Sequence, residues 1–102
     1  MVEVLIKTLK TEIEIVAKPN ENFVAVNGLN VKYDANCFIE EIKSIVSSWK
    51  LKMVNPRIID GEWYKVKISN GESETVYVGR NSFPPNYNNF KNLINKIKSL
   101  LN

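Results

Sequence analysis

The sequence predicts an α+β fold of two layers, in which two amphipathic helices cover a mostly antiparallel sheet built from hairpins. Three observations indicate it: short segments that alternate polar and apolar residues, Asn-Gly pairs between such segments, and two stretches with helical apolar spacing. The expected element order is β-β-β-β-α-β-β-β-α. With 102 residues, of which 44% are hydrophobic and 25% charged, the chain has the length and composition of one globular domain spanning residues 1–102.

The first third of the chain reads as four strands in two hairpins. Strands are expected over residues 2–6 and 11–17, where polar and apolar side chains alternate. The pair Asn27-Gly28 then predicts a two-residue type I′ turn, because both residues adopt positive φ at low cost. This turn places the valines of its two flanking strands on one face, so the turn signal and the apolar pattern agree.

Two helices are predicted, over about residues 34–49 and 86–101. Asp34 is expected to cap the first helix, and Trp49 is expected to lie in the core at its end. The two apolar stripes consist of Phe38, Ile42, Ile45, Val46 and Trp49 and of Phe90, Ile94, Ile97 and Leu101. Such intervals are typical of any amphipathic helix on a sheet, although a duplicated ββα unit would also give them. Because each helix has one stripe, we expect both helices on one face of the sheet, with the other face left free.

The last strands are predicted after a basic link over residues 51–56. A short strand over residues 57–59 leads into a turn at Asp60-Gly61, and a longer strand runs from residue 62 to residue 69. The prolines that follow the next strand mark a loop before the second helix.

The hairpin at Asn70-Gly71 gives conflicting signals. A two-residue loop would set Val66 opposite Thr75, whereas matching the apolar faces sets Val66 opposite Val76 and needs one more loop residue. We expect the longer loop, because each apolar side chain moved to the wrong face costs about 1.5–3 kcal/mol.

In that register, one sheet face carries a basic and aromatic cluster. Trp63, Lys65, Lys67 and Tyr77 share the face that points away from the helices, and Arg80 lies just beyond. Aromatic rings and cations of this kind suit a protein interface, and they also suit a platform for single-stranded nucleic acid. The more ordinary interpretation is a Trp63 covered by a loop beside solvated lysines, since large exposed apolar patches are uncommon on monomers.

No catalytic residue, cofactor site or metal site is expected. The chain contains no histidine and one cysteine, and its four glycines are isolated, which excludes the common nucleophile, zinc and phosphate-loop arrangements. Glu12 and Glu14 form an acidic pair on one strand face, a pattern more typical of solvated positions than of acid/base catalysis. Cys37 lies near a helix start among acidic residues, and we expect it to be a passive side chain.

Charge and segment composition limit the partners. The net charge of +3 is mild, and twelve of the fourteen cations are lysines, which favours protein over nucleic acid as the partner. The sequence shows no apolar run of the ~20 residues that cross a bilayer and no signal-peptide pattern at its start, so no membrane association is expected. A single cysteine demands no oxidising compartment, so the expected location is the cytoplasm.

Residues 60–68, DGEWYKVKI, and residues 81–90, NSFPPNYNNF, lead into the last helix. Over about residues 60–100, this pattern resembles small uncharacterised α+β proteins of low-GC bacteria, and the resemblance implies a bacterial source without any activity.

The sequence thus predicts a non-enzymatic bacterial protein of the cytoplasm that binds a protein, itself or another, as an accessory or inhibitory module. Single-stranded nucleic acid is the alternative partner, and a homodimer formed by edge strands is a further option.

Overall fold

The computed structural model describes residues 1–8, 11–54, 62–80, 82–84 and 86–101, which form seven strands and two helices. In chain order the elements are β1 (Val2–Lys7), β2 (Glu12–Ala17), β3 (Phe23–Val26), β4 (Leu29–Lys32), α1 (Ala35–Val46), β5 (Lys52–Val54), β6 (Trp63–Ser69), β7 (Glu74–Arg80) and α2 (Tyr87–Ser99). The predicted α+β class is confirmed, and the order of the elements largely matches the predicted one. The strand predicted over residues 57–59 and the turn at Asp60-Gly61 lie outside the described residues.

The strands form one sheet in the order β4-β3-β2-β1-β6-β7-β5. The described neighbours pair antiparallel, except that β5 pairs parallel with β7. β1 therefore lies in the middle of the sheet, between the N-terminal hairpins and the β6–β7 hairpin.

β5 lies in the segment that we expected to be a link, so that prediction was wrong. The backbone N–H of Val78 donates to the carbonyl of Leu51 at 2.8 Å, just before the three paired residues of β5 begin. A parallel pair joins segments that are distant in the chain and needs no turn signal, which is why no local pattern indicated this strand.

The turn between β3 and β4 is the predicted one. Asn27 and Gly28 have φ angles of 51° and 84°, and Val26 pairs with Leu29. The Asn27 side-chain oxygen accepts from the backbone N–H of Glu14 at 2.8 Å, and the Asn27 N–H donates to the Glu14 carbonyl at 2.8 Å. These bonds attach the turn to β2 and fix the register of β3.

The hydrophobic core lies on one side of the sheet. Alternate residues of the strands are buried there together with the apolar stripes of both helices; the cluster includes Val2, Val4, Ile6, Ile13, Ile15, Val24, Val26, Phe38, Ile42, Tyr64, Val66, Phe90, Ile94 and Ile97. The shortest dimension of the molecule, 20 Å, fits one helix layer on one sheet. The prediction that both helices cover the same face is thereby confirmed. Leu101, expected on the second stripe, lies beyond the end of α2 and is 37% exposed.

The two helices are joined at their adjacent ends. Asp34 caps α1 as predicted, accepting from the backbone N–H of Cys37 at 3.2 Å. At the start of α2, Asn86 makes no such cap. Its side-chain oxygen accepts from the indole N–H of Trp49, and its Nδ2 donates to the carbonyl of Ile45 at 2.7 Å. Asn86 therefore satisfies polar groups of α1 and ties the end of that helix to α2.

Tyr64 forms the centre of an aromatic cluster in the core. It is fully buried, and its ring centroid lies 5.1 Å from that of Trp49, 5.5 Å from that of Tyr87 and 6.2 Å from that of Phe90. Its hydroxyl finds no hydrogen-bond partner among the described residues, and burial raises the pKa of Tyr64 above 10.0. Opposite Tyr64 on β7 is Gly79, which leaves room for the ring.

Glu62 links the start of β6 to α2. Its carboxylate accepts from the Tyr87 hydroxyl at 2.7 Å and from the Lys91 ammonium at 2.5 Å. Burial, followed by this hydrogen bond to Glu62, raises the pKa of Tyr87 well above its ordinary value. The bonds hold α2 over the end of the sheet at which β6 begins.

Candidate binding face

The turn between β6 and β7 is longer than the sequence predicted. The last pair is Ser69 with Glu74, so four residues, 70–73, form the turn. The Asn70 side-chain oxygen accepts from the backbone N–H of Ser73 at 2.9 Å, and the Asn70 N–H donates to the Ser73 carbonyl at 3.1 Å. Gly71 adopts a φ of 93° within this loop. The Asn70 side chain therefore stabilises a four-residue turn in place of the two-residue turn that Asn-Gly pairs often form.

This turn overturns the predicted register. Val66 lies opposite Tyr77, not opposite Val76. Because a shift of one residue moves every side chain to the other face, Tyr77 lies on the helix side, where its ring centroid is 6.4 Å from that of Trp49. The prediction that Tyr77 shares a face with Trp63 was wrong for this reason, and Val76 and Val78 occupy that face instead.

We call the side of the sheet opposite the helices the outer face. Cross-strand partners share a face, so the register places these described residues on it: Glu3, Leu5, Lys7, Glu12, Glu14, Val16, Ala25, Lys52, Trp63, Lys65, Lys67, Val76, Val78 and Arg80. Trp63, Lys65, Lys67 and Arg80 thus lie together, as the alternation of β6 predicted. No described helix or strand covers them.

Apolar side chains lie among the charged ones on the outer face. Five of them come from four adjacent strands, and each is half-buried: Leu5, Val16, Trp63, Val76 and Val78. Sequence reasoning identified Trp63 among them. It missed the rest because β1 pairs with β6, a contact between distant parts of the chain, and because the hairpin register was misjudged.

The charges of the outer face are divided between two halves. We call Glu3, Glu12 and Glu14, on β1 and β2, the acidic half. We call Lys52, Lys65, Lys67 and Arg80, on β5, β6 and β7, the basic half. Lys7 on β1 and Lys32 on β4 are cations outside the basic half, and Glu74 is an acid on β7 that pairs with Lys67 at 3.3 Å. The other charges of both halves make no ion pair within the described part of the chain.

The described residues of the outer face form shallow hollows, which include one of about 310 Å³ beside Trp63 and Arg80 and one of about 410 Å³ beside Val16 and Phe23. A larger hollow of about 640 Å³ lies away from this face, between Ile39 of α1 and the β6–β7 turn. A broad surface with shallow hollows is more typical of contact with a macromolecule than of an enclosed small-molecule site.

Cys37 lies on the helix layer and has the environment of a passive thiol. Its sulfur donates to a Glu41 carboxylate oxygen at 3.0 Å, and the Tyr33 hydroxyl donates to the same oxygen at 2.6 Å. The hydrogen bond to Glu41, followed by desolvation, raises the pKa of Cys37, so the thiol form is favoured at neutral pH. The described residues contain no cluster of three or more His, Cys, Asp or Glu side chains that could hold a metal ion.

Comparison of the chain with protein-family models, with curated proteins and with solved structures finds no match. The resemblance of residues 60–100 to small bacterial proteins therefore stays a prediction. Among the helices of the described ranges, none combines the length and the apolar character that a membrane span requires.

Proposed function

We propose that this chain is a non-enzymatic protein-binding module that uses the outer face of its sheet. One observation carries the proposal. The helices cover one side of a seven-strand sheet, while half-buried apolar side chains run across the other side with no described element over them. Covering such a surface removes apolar area from water, which is the main driving force of protein association.

The composition of the outer face supports a protein partner. Leu5 and Val78 flank Lys65 at one level of the strands, and Trp63 lies between Lys7 and Arg80 at the next. Such a mixture of apolar side chains and cations is compatible with a protein interface, in which Trp and Arg are frequent energetic anchors.

Single-stranded nucleic acid is the second candidate, and Lys65, Lys67 and Arg80 beside Trp63 are the observation that favours it. A stacking platform uses successive aromatic rings along the strand. Tyr77 lies on the helix side, which leaves Trp63 as the aromatic ring of the basic half. The carboxylates of the acidic half also share the outer face and would repel a polyanion. Protein is therefore the better-supported partner.

An accessory or inhibitory role in the cytoplasm completes the proposal. The chain contains no histidine, so the most common general base and metal ligand is missing. Its exposed cysteine is a free thiol, which is compatible with a reducing compartment.

Site-specific photo-crosslinking in cells tests the proposal. A benzophenone amino acid replaces Lys65 on the outer face or, as the matched control, Lys98 on the exposed side of α2. We expect protein adducts from position 65 and few from position 98. Val78→Asp should abolish the adducts, because it replaces an apolar contact of the outer face with a charge, whereas Ser99→Asp on the helix layer should leave them unchanged.

Three outcomes would contradict the proposal: no adducts from position 65, equal adducts from both positions, or adducts that Val78→Asp leaves intact. Adducts that nuclease returns to the mass of the free chain would support the nucleic-acid candidate in its place.

A further inference from the structure

The division of charge on the outer face follows the strands. The acidic half occupies β1 and β2, and the basic half begins on the next strand, β6. The register sets these residues at matching levels along the strands. Glu3, Val16, Lys67 and Val76 share one level, while Glu12 and Arg80 share another.

A two-fold axis that runs parallel to the strands, above the boundary between β1 and β6, makes this pattern self-complementary. Rotation about it brings β1 over β6 of a second copy and β2 over β7, and it keeps each residue at its level. Glu3 then faces Lys67 of the second copy and Glu12 faces its Arg80, while Val16 meets its Val76. The same rotation sets Leu5 against Lys65, Lys7 against Trp63 and Glu14 against Val78. A two-fold axis across the strands would instead place the acidic half on the acidic half.

We propose that the outer face binds a second copy of this chain, sheet against sheet, about a two-fold axis parallel to the strands. This inference rests on the proposed function and names the partner. The acidic half and the basic half lie on the same surface of one chain, and an isologous interface requires a surface that is complementary to itself. Aligned packing of two sheets through their side chains, about 10 Å apart, is a common arrangement in sandwiches.

The available area is that of a small interface. Four strands lie on one side of the axis and three on the other, so β4 lies over no strand of the second copy. The six covered strands, about 4.8 Å apart and with a rise of about 3.3 Å per residue, have a projected area of roughly 500 Å². A standard interface buries about 800 Å² of accessible surface per partner, so we expect a weak dimer that forms at high protein concentration.

The charges are also available for the contact. Glu12, Glu14, Lys65 and Arg80 are exposed, and none of them makes an ion pair with another described residue. In the dimer Glu12 faces Arg80 of the second copy, and Glu14 lies at the level of its Lys65 on the neighbouring strand, so screening by salt should weaken the association.

A charge-swap experiment tests the dimer. One variant carries Glu12→Lys and Glu14→Lys, and the other carries Lys65→Glu and Arg80→Glu. Each variant alone sets like charges against each other, whereas a mixture of the two restores opposite charges at both symmetry-related contacts. The masses are measured by sedimentation velocity at low salt over a range of protein concentrations, with a monomer mass of 11.7 kDa.

We expect the wild type to reach twice the monomer mass. Each variant alone should associate roughly a hundredfold more weakly, while the mixture should dimerise like the wild type. A control variant with Glu40→Lys and Lys98→Glu changes exposed charges of the helix layer and should dimerise normally.

The inference is overturned if the wild type stays monomeric at the highest concentration, if either variant dimerises alone like the wild type, or if the mixture fails to dimerise. Its failure is distinguishable from that of the proposed function. Position-65 adducts with a different protein, together with a monomeric wild type, would refute the second copy as partner and leave protein binding by this face intact.

Discussion

Gly79→Ala tests the packing between the sheet and the aromatic cluster. Gly79 lies opposite Tyr64, and a Cβ built on it would overlap the Tyr64 ring and lie 2.6 Å from the hydroxyl oxygen. Nonbonded carbon atoms pack at about 3.5–4.0 Å, so the ring would have to move by more than ~1 Å. It has little room to move, because Trp49, Tyr87 and Phe90 surround it.

The magnitude follows from this confinement. Added methyl groups in a packed core cost about 1–3 kcal/mol, and a methyl directed into an enclosed ring should reach the upper end, about 3 kcal/mol. For a chain of this length, that loss lowers the melting temperature by roughly 12–24 °C. Urea denaturation followed by circular dichroism gives the change in the free energy of unfolding.

A double-mutant cycle isolates the contact. In a Tyr64→Leu background the ring is absent, so Gly79→Ala should be neutral or should stabilise the protein by about 0.4–1 kcal/mol through the unfolded state. The expected coupling is therefore about 3–4 kcal/mol. If Gly79→Ala costs the same free energy in both backgrounds, the ring contact is not the reason for glycine at this position.

Three further predictions use the core, the outer face and the thiol. The raised pKa values of Tyr64 and Tyr87 mean that the folded chain keeps protons that the unfolded chain releases near pH 10.0. Stability should therefore be intact below pH 10 and fall above it, by up to about 1.4 kcal/mol per pH unit for each tyrosine. Urea midpoints from pH 8 to pH 11.5 that do not fall would contradict this. Trp49→Ala should lower the free energy of unfolding by about 3–5 kcal/mol, because Trp49 lies in the core. Trp63→Ala should lower it by about 1 kcal/mol or less, because Trp63 lies on the outer face. Equal losses in urea denaturation would place both rings in the core. Cys37 should react with iodoacetamide at pH 8 more slowly in the folded chain than in urea, because its hydrogen bond to a carboxylate favours the thiol; a faster reaction in the folded chain would contradict the raised pKa.

Much of the fold was predictable because its signals are local. The type I′ turn at Asn27-Gly28 needs positive φ at both residues, and those two residue types provide it wherever they occur between strands. The cap at Asp34 and the burial of Trp49 follow from helical spacing within one segment. In each case, the residues that determine the structure lie within a few positions of one another.

The sheet order was not predictable because it depends on contacts between distant segments. The pairing of β1 with β6 joins residues about sixty positions apart, and β5 joins the sheet without any turn signal. The β6–β7 register failed for a different reason. The Asn70 side chain stabilises a four-residue turn, and the apolar pattern of the strands does not determine the length of such a turn.

Some residues of the candidate site were predictable from local alternation, and others depend on how the strands pair. Trp63, Lys65 and Lys67 alternate on one strand, so their common face follows from sequence alone. The predicted β6–β7 register assigned Tyr77 to that face, whereas Tyr77 lies on the helix side of the sheet. Leu5 reached the outer face beside them because β1 occupies the centre of the sheet.

Methyl NMR with a gadolinium chelate in the solvent measures how open the outer face is. The variant with Glu12→Lys and Glu14→Lys is used, because we expect it to be monomeric at the protein concentration of the measurement. We expect strong broadening of its Leu5 and Val78 methyl signals, while those of Val4 and Val66, between sheet and helices, stay sharp. Leu5 and Val78 methyl signals as sharp as those of Val4 and Val66 would mean that the outer face is covered within the chain itself, and this result would refute the proposed binding face.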